Sequence, residues 1–265
     1  GVPRGVRARA NFGRLAPPSD MGAGCSACFA GLRLGGVVDA AAAAAPSAAD
    51  TDPEPPAGAT VRELVLGSAR LRVETWPECP LGSELWPSGV LLARALAEAL
   101  PGLPQVAGRR IAELGAGLGL PGLVAAALGA EEVVVTDRGR LVPLLRRNIA
   151  LNGLRANCRA EDLDWEFAPG SPLSARKRAA AGLDPLDLVL CADVLYFEEQ
   201  DPFIEAVLAL LAPGRTTLVL AYRERTAADR SYLEQVVLPK LDARRVDYGS
   251  PEQGSCEIYV GRLKA

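Results

Sequence analysis

The sequence predicts an α/β fold: a doubly wound, mostly parallel sheet with helices on both faces, an antiparallel edge at its carboxyl end and a short β extension before it. Three observations carry that prediction. From about residue 60 onward, strand-like runs alternate with helix-like segments, the order that builds parallel sheets with crossover helices. The runs "EEVVVTD", "DLVLCAD" and "TTLVLAY" carry unbroken apolar stretches, as strands buried on both faces do. The last two strand-like segments, "ARRVDYG" and "CEIYVGRL", have no helix between them and read as a closing hairpin.

Taken in order, "VRELVLGSARLRVETW" gives two short strands around the Gly67-Ser68 turn. "PSGVLLARALAEAL" is a helix, with Pro87 at its start and Pro101-Gly102 as its stop. "RRIAEL" is a strand, "GLPGLVAAALGA" a helix, "EEVVVTD" a strand and "RLVPLLRRNIALNG" a helix closed by Asn152-Gly153. Then come "DLVLCAD" as strand, 200–212 as helix, "TTLVLAY" as strand and 227–240 as helix, before the final strand pair. Residues 1–58 are rich in Gly, Ala, Pro and Arg, with an alanine run from Ala40 to Ala45 and no sustained amphipathic period. That composition predicts a disordered segment, leaving 59–265 as the folded domain.

Within the first segment, "MGAGCSAC" at 21–28 fits an N-myristoylation pattern on Gly22, with Cys25 and Cys28 placed for palmitoylation if translation begins at Met21. Otherwise the motif is accidental, and the Arg-rich, acid-free opening "GVPRGVRARANFGRL" reads equally as a transit peptide.

Composition narrows the chemistry. The net charge of −3 lacks the basic excess of a dedicated nucleic-acid binder, so nucleic acid is not the expected partner. Every long apolar run is interrupted by Gly, Pro or Arg, short of the ~20 residues that span a bilayer. Six scattered cysteines in a chain of 265 residues read as reduced thiols of a cytoplasmic protein rather than a disulfide framework. The chain contains no histidine. His-based triads, His metal sites and a His general base are thereby excluded, and no metal site is expected.

One stretch is pointed. "AELGAGLGLPG", residues 112–122, follows directly on a strand and opens a helix. Bare backbone there admits a ligand closely and the helix start offers free N–H groups, so a nucleotide-type ligand is expected at Gly115, Ala116, Gly117 and Gly119. The dinucleotide fingerprint needs a third glycine where Leu120 stands. The G-x-G-x-G spacing, with Glu113 beside it, favours S-adenosyl-L-methionine over NAD. That molecule has no pyrophosphate, and its ammonium suits a nearby carboxylate. Asp137 ends the next strand, where its carboxylate can accept both ribose hydroxyls.

"ELWPSGVLLARAL", the glycine turn, "VVTDR", "LLRRNIALNG", "LDW" and "ADVLY", in this order, resemble the family-16 seven-β-strand methyltransferases across residues 75–225. The most specific element is the D-x-x-Y set of Asp193 and Tyr196. The resemblance implies a Rossmann-like sheet of seven strands and S-adenosylmethionine-dependent methylation of a lysine in a protein substrate, of the chaperone or translation-factor class. It implies that Trp86 lies over the cofactor, that Gly115 to Gly117 line its methionine part and that Asp137 holds the ribose. It likewise implies that Trp165 lies beside the adenine, that Ala192 is in the cofactor wall, and that Asp193 and Tyr196 are at the methyl-transfer mouth. Tyr222, after the fifth parallel strand, is a further candidate there. A monomer is expected.

Departures keep alternatives open. "WPSG" and "LPG" resemble a branch linked to arginine methylation, although that branch has phenylalanine where Tyr196 stands. "EFAPGSPLSARKRAAAGLDP" is a longer, more basic connection than the family pattern, read as a solvated insertion or a clamp for an acidic partner. The Asn/Asp-Pro-Pro-aromatic motif of enzymes that methylate adenine or glutamine is replaced by "ADVLY", which counts against a nucleic-acid or small-molecule acceptor. A non-catalytic, cofactor-binding member is the remaining alternative.

Overall fold

The computed structural model describes residues 33–39 (as backbone), 54–79, 81–164, 182–196, 201–248 and 256–264. Ten strands fall into two sheets. Strands β1 (Arg33–Asp39), β2 (Thr60–Leu66) and β3 (Ala69–Thr75) form a small antiparallel sheet in that spatial order. The main sheet contains β4 (Arg110–Leu114), β5 (Glu132–Asp137), β6 (Cys158–Asp162), β7 (Leu188–Ala192), β8 (Thr217–Arg223), β9 (Leu241–Val246) and β10 (Cys256–Leu263). Their spatial order is β6-β5-β4-β7-β8-β10-β9. The first five pair in parallel, and β10 runs antiparallel to both β8 and β9. Seven mostly parallel strands with an antiparallel edge are the expected fold.

The sheet is buried on both faces, and strand alternation sorts the core into two layers. Ile111, Val133, Val135, Leu190 and Val219 point toward α1 (Pro87–Ala97), α2 (Leu120–Ala127) and α3 (Val142–Leu151). Ala112, Leu114, Val134, Val189 and Leu220 point toward α4 (Asp201–Leu210) and the segment that follows α5 (Ala227–Tyr232). A single helix over 227–240 was the expectation. Instead a capping box of Thr226 and Asp229 starts α5, the turns widen over Leu233–Val237, and a 3₁₀ turn at Leu238–Lys240 ends the segment. Pro239 offers no N–H to a continuing helix.

Two strands were not foreseen. β6, "CRAED", carries three charged residues in five and lies at the sheet edge, where one face tolerates them. β1 lies inside the segment expected to be disordered, which corrects that boundary for Arg33–Asp39. Seven residues are too short to show a period, but β2 presents a free edge that β1 completes, with a register irregularity between Leu34 and Val37.

The small sheet is tied to α3 by buried polar contacts. Glu74, with none of its surface exposed, accepts from Arg147 through both carboxylate oxygens at 2.8 Å and from Trp76 Nε1 at 2.6 Å. Asn148 Oδ1 accepts from the Glu74 backbone N–H at 2.6 Å, while its Nδ2 donates to the Leu118 carbonyl. This tie matters for function, because β3 runs directly into the segment that reaches the glycine turn.

Candidate active site

Doubly wound sheets bind ligands beyond the carboxyl ends of their strands, where the strand order reverses. Here that point lies between β4 and β7. The glycine turn leaves β4 there, and Asp193 leaves β7 beside it.

In the turn, Gly115, Gly117 and Gly119 have φ of +65°, +54° and +78°, a path that costs glycine little and other residues more. Gly117 is under a second constraint. A Cβ on it would lie 3.2 Å from the Gly82 carbonyl oxygen, so the segment joining β3 to α1 passes directly over the turn. That segment is closed on itself, with the Trp76 N–H donating to Ser83 Oγ and Trp86 Nε1 donating to the Leu81 carbonyl at 3.0 Å. Ala116 N–H is bound to the Thr136 carbonyl, which locks the turn to β5. Gly122 supplies the close helix-to-strand contact that Leu120 cannot: a Cβ there would lie 2.5 Å from Val135 and 2.6 Å from Glu113 Oε2.

The two expected cofactor-site carboxylates behave differently. Asp137 Oδ2 accepts from the Gly117 N–H at 2.8 Å and its Oδ1 from the Arg138 N–H at 2.7 Å, so it holds the turn and lies at its rim. Burial raises its pKa, against those two backbone bonds. Glu113 is turned inward instead, 2% exposed, with Oε2 accepting from the Gly122 N–H at 2.8 Å. Burial pushes its pKa up to about 8, opposed by the Gly122 bond and reinforced by the Asp137 charge.

Asp193 is a non-glycine residue with φ of +55° and is 5% exposed. Such strain persists where its surroundings fix it, and here two contacts do so. Oδ2 accepts from the Ser88 N–H at 2.8 Å, and Oδ1 from Arg225 Nη2 at 2.7 Å. The first of these caps α1 from a distance. Trp86 at the N-cap position offers no side-chain acceptor and Pro87 no N–H, so a remote carboxylate satisfies an orphan donor and complements the helix dipole.

Arg225 is the residue around which the mouth is organised. Its guanidinium carbon lies 5.4 Å from the Trp86 ring and 5.5 Å from the Tyr196 ring, within the range of a cation–π contact on each. Its Nη1 is buried with no hydrogen-bond partner among the described residues. Tyr196 is 46% exposed at the rim, and desolvation together with the Asp137 charge raises its hydroxyl pKa. Ala192 ends β7 and packs on the α1 side of the sheet.

The structure thus brings together Trp86, the glycine turn, Asp137, Ala192, Asp193 and Tyr196. Tyr222 does not join them, which corrects its expected place at the mouth. Alternation along β8 turns Ala221 toward α1 and Tyr222 to the opposite face, where it is 1% exposed among Phe203 and Leu233. The Arg230 guanidinium covers its ring at 5.0 Å. Trp165 lies outside the described residues. Ser88 and Arg225 were missed by sequence reasoning.

Comparison with known proteins decides the family. A model of the family described as lysine methyltransferase matches residues 68–238. The chain belongs to the lysine methyltransferase family. As the resemblance implied, it is an S-adenosylmethionine-dependent enzyme of the lysine-methylating kind. The protein-lysine N-methyltransferase EFM6 of Saccharomyces cerevisiae is 32% identical over 179 residues, which cover 60% of this chain and 70% of that protein. The protein N-lysine methyltransferase METTL21A of Danio rerio is 31% identical over 201 residues, covering 74% and 85%. The human histone-arginine methyltransferase METTL23 is 33% identical over 130 residues, covering 48% and 60%. Among solved structures, a chain described as a SAM-dependent methyltransferase from Streptococcus mutans superposes with a TM-score of 0.51 at 12% identity, over 77% of this chain and 55% of that one. The likeness to that structure is one of fold. No helix among the described residues is long and apolar enough to cross a membrane.

Proposed function

We propose that this methyltransferase modifies the ε-amine of a lysine in a protein substrate of the chaperone or translation-factor class, with Asp193 and Tyr196 at the acceptor side of the site. The observation that carries the residue assignment is Asp193: a buried carboxylate in a strained conformation, held on two sides and flanked by Trp86 and Tyr196 through Arg225.

The residues fit the cofactor. The glycine turn, with Gly115, Gly117 and Gly119 at positive φ, offers bare backbone that a ligand can approach closely. Asp137 presents a carboxylate at the turn, suited to ribose hydroxyls, and Trp86 presents an apolar face. When bound, S-adenosylmethionine supplies an electrophilic methyl group on a sulfonium. The protein's part is to orient the amine in line with that group and to let its proton go. Lysine's ordinary pKa of about 10.4 makes the neutral amine cost about 4 kcal/mol near pH 7.5. In this assignment Asp193 captures and aims the arriving ammonium between Trp86 and Tyr196, and the proton leaves to solvent before the nitrogen lone pair forms its bond to carbon.

Lysine is favoured over arginine as acceptor by Tyr196, which stands where the arginine-linked branch has phenylalanine. The test is to incubate the protein and its D193N variant with radiolabelled S-adenosylmethionine and a cell extract, then hydrolyse the labelled bands. Methyl-lysine in a discrete band with the wild type and none with D193N, which still binds the cofactor, is the expected result. Methyl-arginine would reassign the acceptor. Label confined to small molecules or RNA would remove the protein substrate.

A further inference from the structure

Lysine methylation at Asp193 contains a conflict. A bare buried carboxylate holds an ammonium strongly and, by the same attraction, raises its pKa, which opposes the deprotonation that transfer requires. The geometry removes the conflict. Asp193 is not bare: Arg225 Nη2 stands 2.7 Å from Oδ1, and the pair is nearly dry, with side-chain exposures of 17% for Arg225 and 2% for Asp193. Arg225 is also confined between the rings of Trp86 and Tyr196, and its backbone leads into the capped start of α5 at Thr226, which limits where its charge can go.

We propose that Arg225 is a positioning residue of the acceptor site: it fixes the Asp193 carboxylate and offsets its charge, so that the arriving lysine meets a nearly neutral pair and gives up its proton to water. The proposal rests on the reading of Asp193 as the acceptor-side carboxylate.

Among the described residues, Tyr196, on the loop after β7, is the titratable group that Arg225 and Asp193 both act on, and Asp137 and Arg138, at the end of β5, act on its hydroxyl as well. Burial and the Asp137 charge raise the Tyr196 hydroxyl pKa above its ordinary value. Asp137 and Arg138 are adjacent and opposite in charge. Arg225 is the charged side chain in direct contact with the Asp193 carboxylate among the described residues, so its removal changes the net charge at Asp193 itself. With a unit charge removed several ångströms from the amine, its pKa rises by on the order of one to two pH units.

The experiment takes the acceptor protein recovered from the labelled band, saturating over enzyme, and follows methyl transfer from about pH 6.5 to about pH 9.5, the span below lysine's ordinary pKa. Wild type, R225Q and R225K are compared. The expected result for R225Q is an acid limb of kcat displaced upward by about one to two pH units, with activity regained at the alkaline end. At neutral pH its kcat falls while KM holds or falls, because the uncompensated carboxylate binds the ammonium at least as well. R225K, which keeps the charge, is expected to keep the wild-type profile. Cofactor affinity, measured on the same samples, should be unchanged in R225Q. An R225Q profile that coincides with wild type, or that is lowered equally at every pH, overturns the proposal. So does loss of cofactor binding in R225Q, which would make Arg225 part of the fold or the cofactor site. Absence of methyl-lysine with the wild type defeats the lysine reading first and the proposal with it, and is told apart because it appears before any variant is compared.

Discussion

Glu113 is a carboxyl group taken out of water at the end of β4, and its ionisation should be visible in stability. Burial raises its pKa from 4.5 to about 8. Over that window the unfolded chain releases a proton that the native state keeps, so stability falls as pH rises from about 4.5 to about 8. Below the window both states hold the proton, and above it the cost is complete, at most about 5 kcal/mol. E113Q keeps an acceptor for the Gly122 N–H and cannot ionise. Urea unfolding at the two ends of the window should therefore show the wild type losing a few kcal/mol relative to E113Q at the alkaline end. Parallel stability curves for the two proteins would mean that Glu113 ionises in the native state at its ordinary pH. The same residue shows what was legible at this scale. The identity of Glu113, Asp137 and Asp193 and their place at strand ends could be read from local sequence. Their direction could not, since it depends on which backbone N–H each meets. Arg225 and Ser88 reach Asp193 across 32 and 105 residues, and nothing in "AYRER" distinguishes Arg225 from Arg223 before the loop is folded.

At the scale of elements, the central strands were readable because burial on both faces demands unbroken apolar runs, as in "LVLCA" of β7 and "TLVLAYR" of β8. β6 and β1 were not, because edge strands carry no such demand. The same alternation that identified β8 also misled, since the period says that Ala221 and Tyr222 face opposite ways without saying which side holds the site. The attachment of the small sheet was likewise unreadable: Glu74 and Arg147 are charged residues in elements that pattern alone would expose, yet they are 0% and 7% exposed. Removing one partner from a buried pair leaves a charge without compensation, typically at about 3 to 5 kcal/mol. R147M should therefore lower the urea midpoint by that equivalent at constant slope. E74L/R147M should recover part of the loss, because no charge then remains buried. If R147M were neutral while E74L was costly, the Trp76 Nε1 bond to Glu74 rather than the ion pair would be holding β3 to α3.

Across the whole molecule, the site divides at the switch point of the sheet. In the proposed assignment the glycine turn, Asp137 and Trp86 serve the cofactor on one side, and Asp193, Arg225 and Tyr196 serve the acceptor on the other. Because Asp137 spans the turn through Gly117 and Asp193 caps α1 through Ser88, each carboxylate also stabilises the fold, and activity alone cannot separate their roles. Ligand-linked stability can. A ligand at 100 times its Kd stabilises the native state by about 2.7 kcal/mol, which for a domain of this size raises the melting temperature by about 5 to 10 °C. S-adenosylmethionine should therefore produce a shift of that order in the wild type, in D193N and in Y196F, whatever their melting temperatures without ligand. In D137N the shift at the same concentration should shrink by about 3 to 6 °C for each tenfold loss of affinity. A retained shift in D137N together with a lost shift in D193N would exchange the two assignments, placing the strained carboxylate of β7 against the cofactor and leaving the acceptor to the rim of β5.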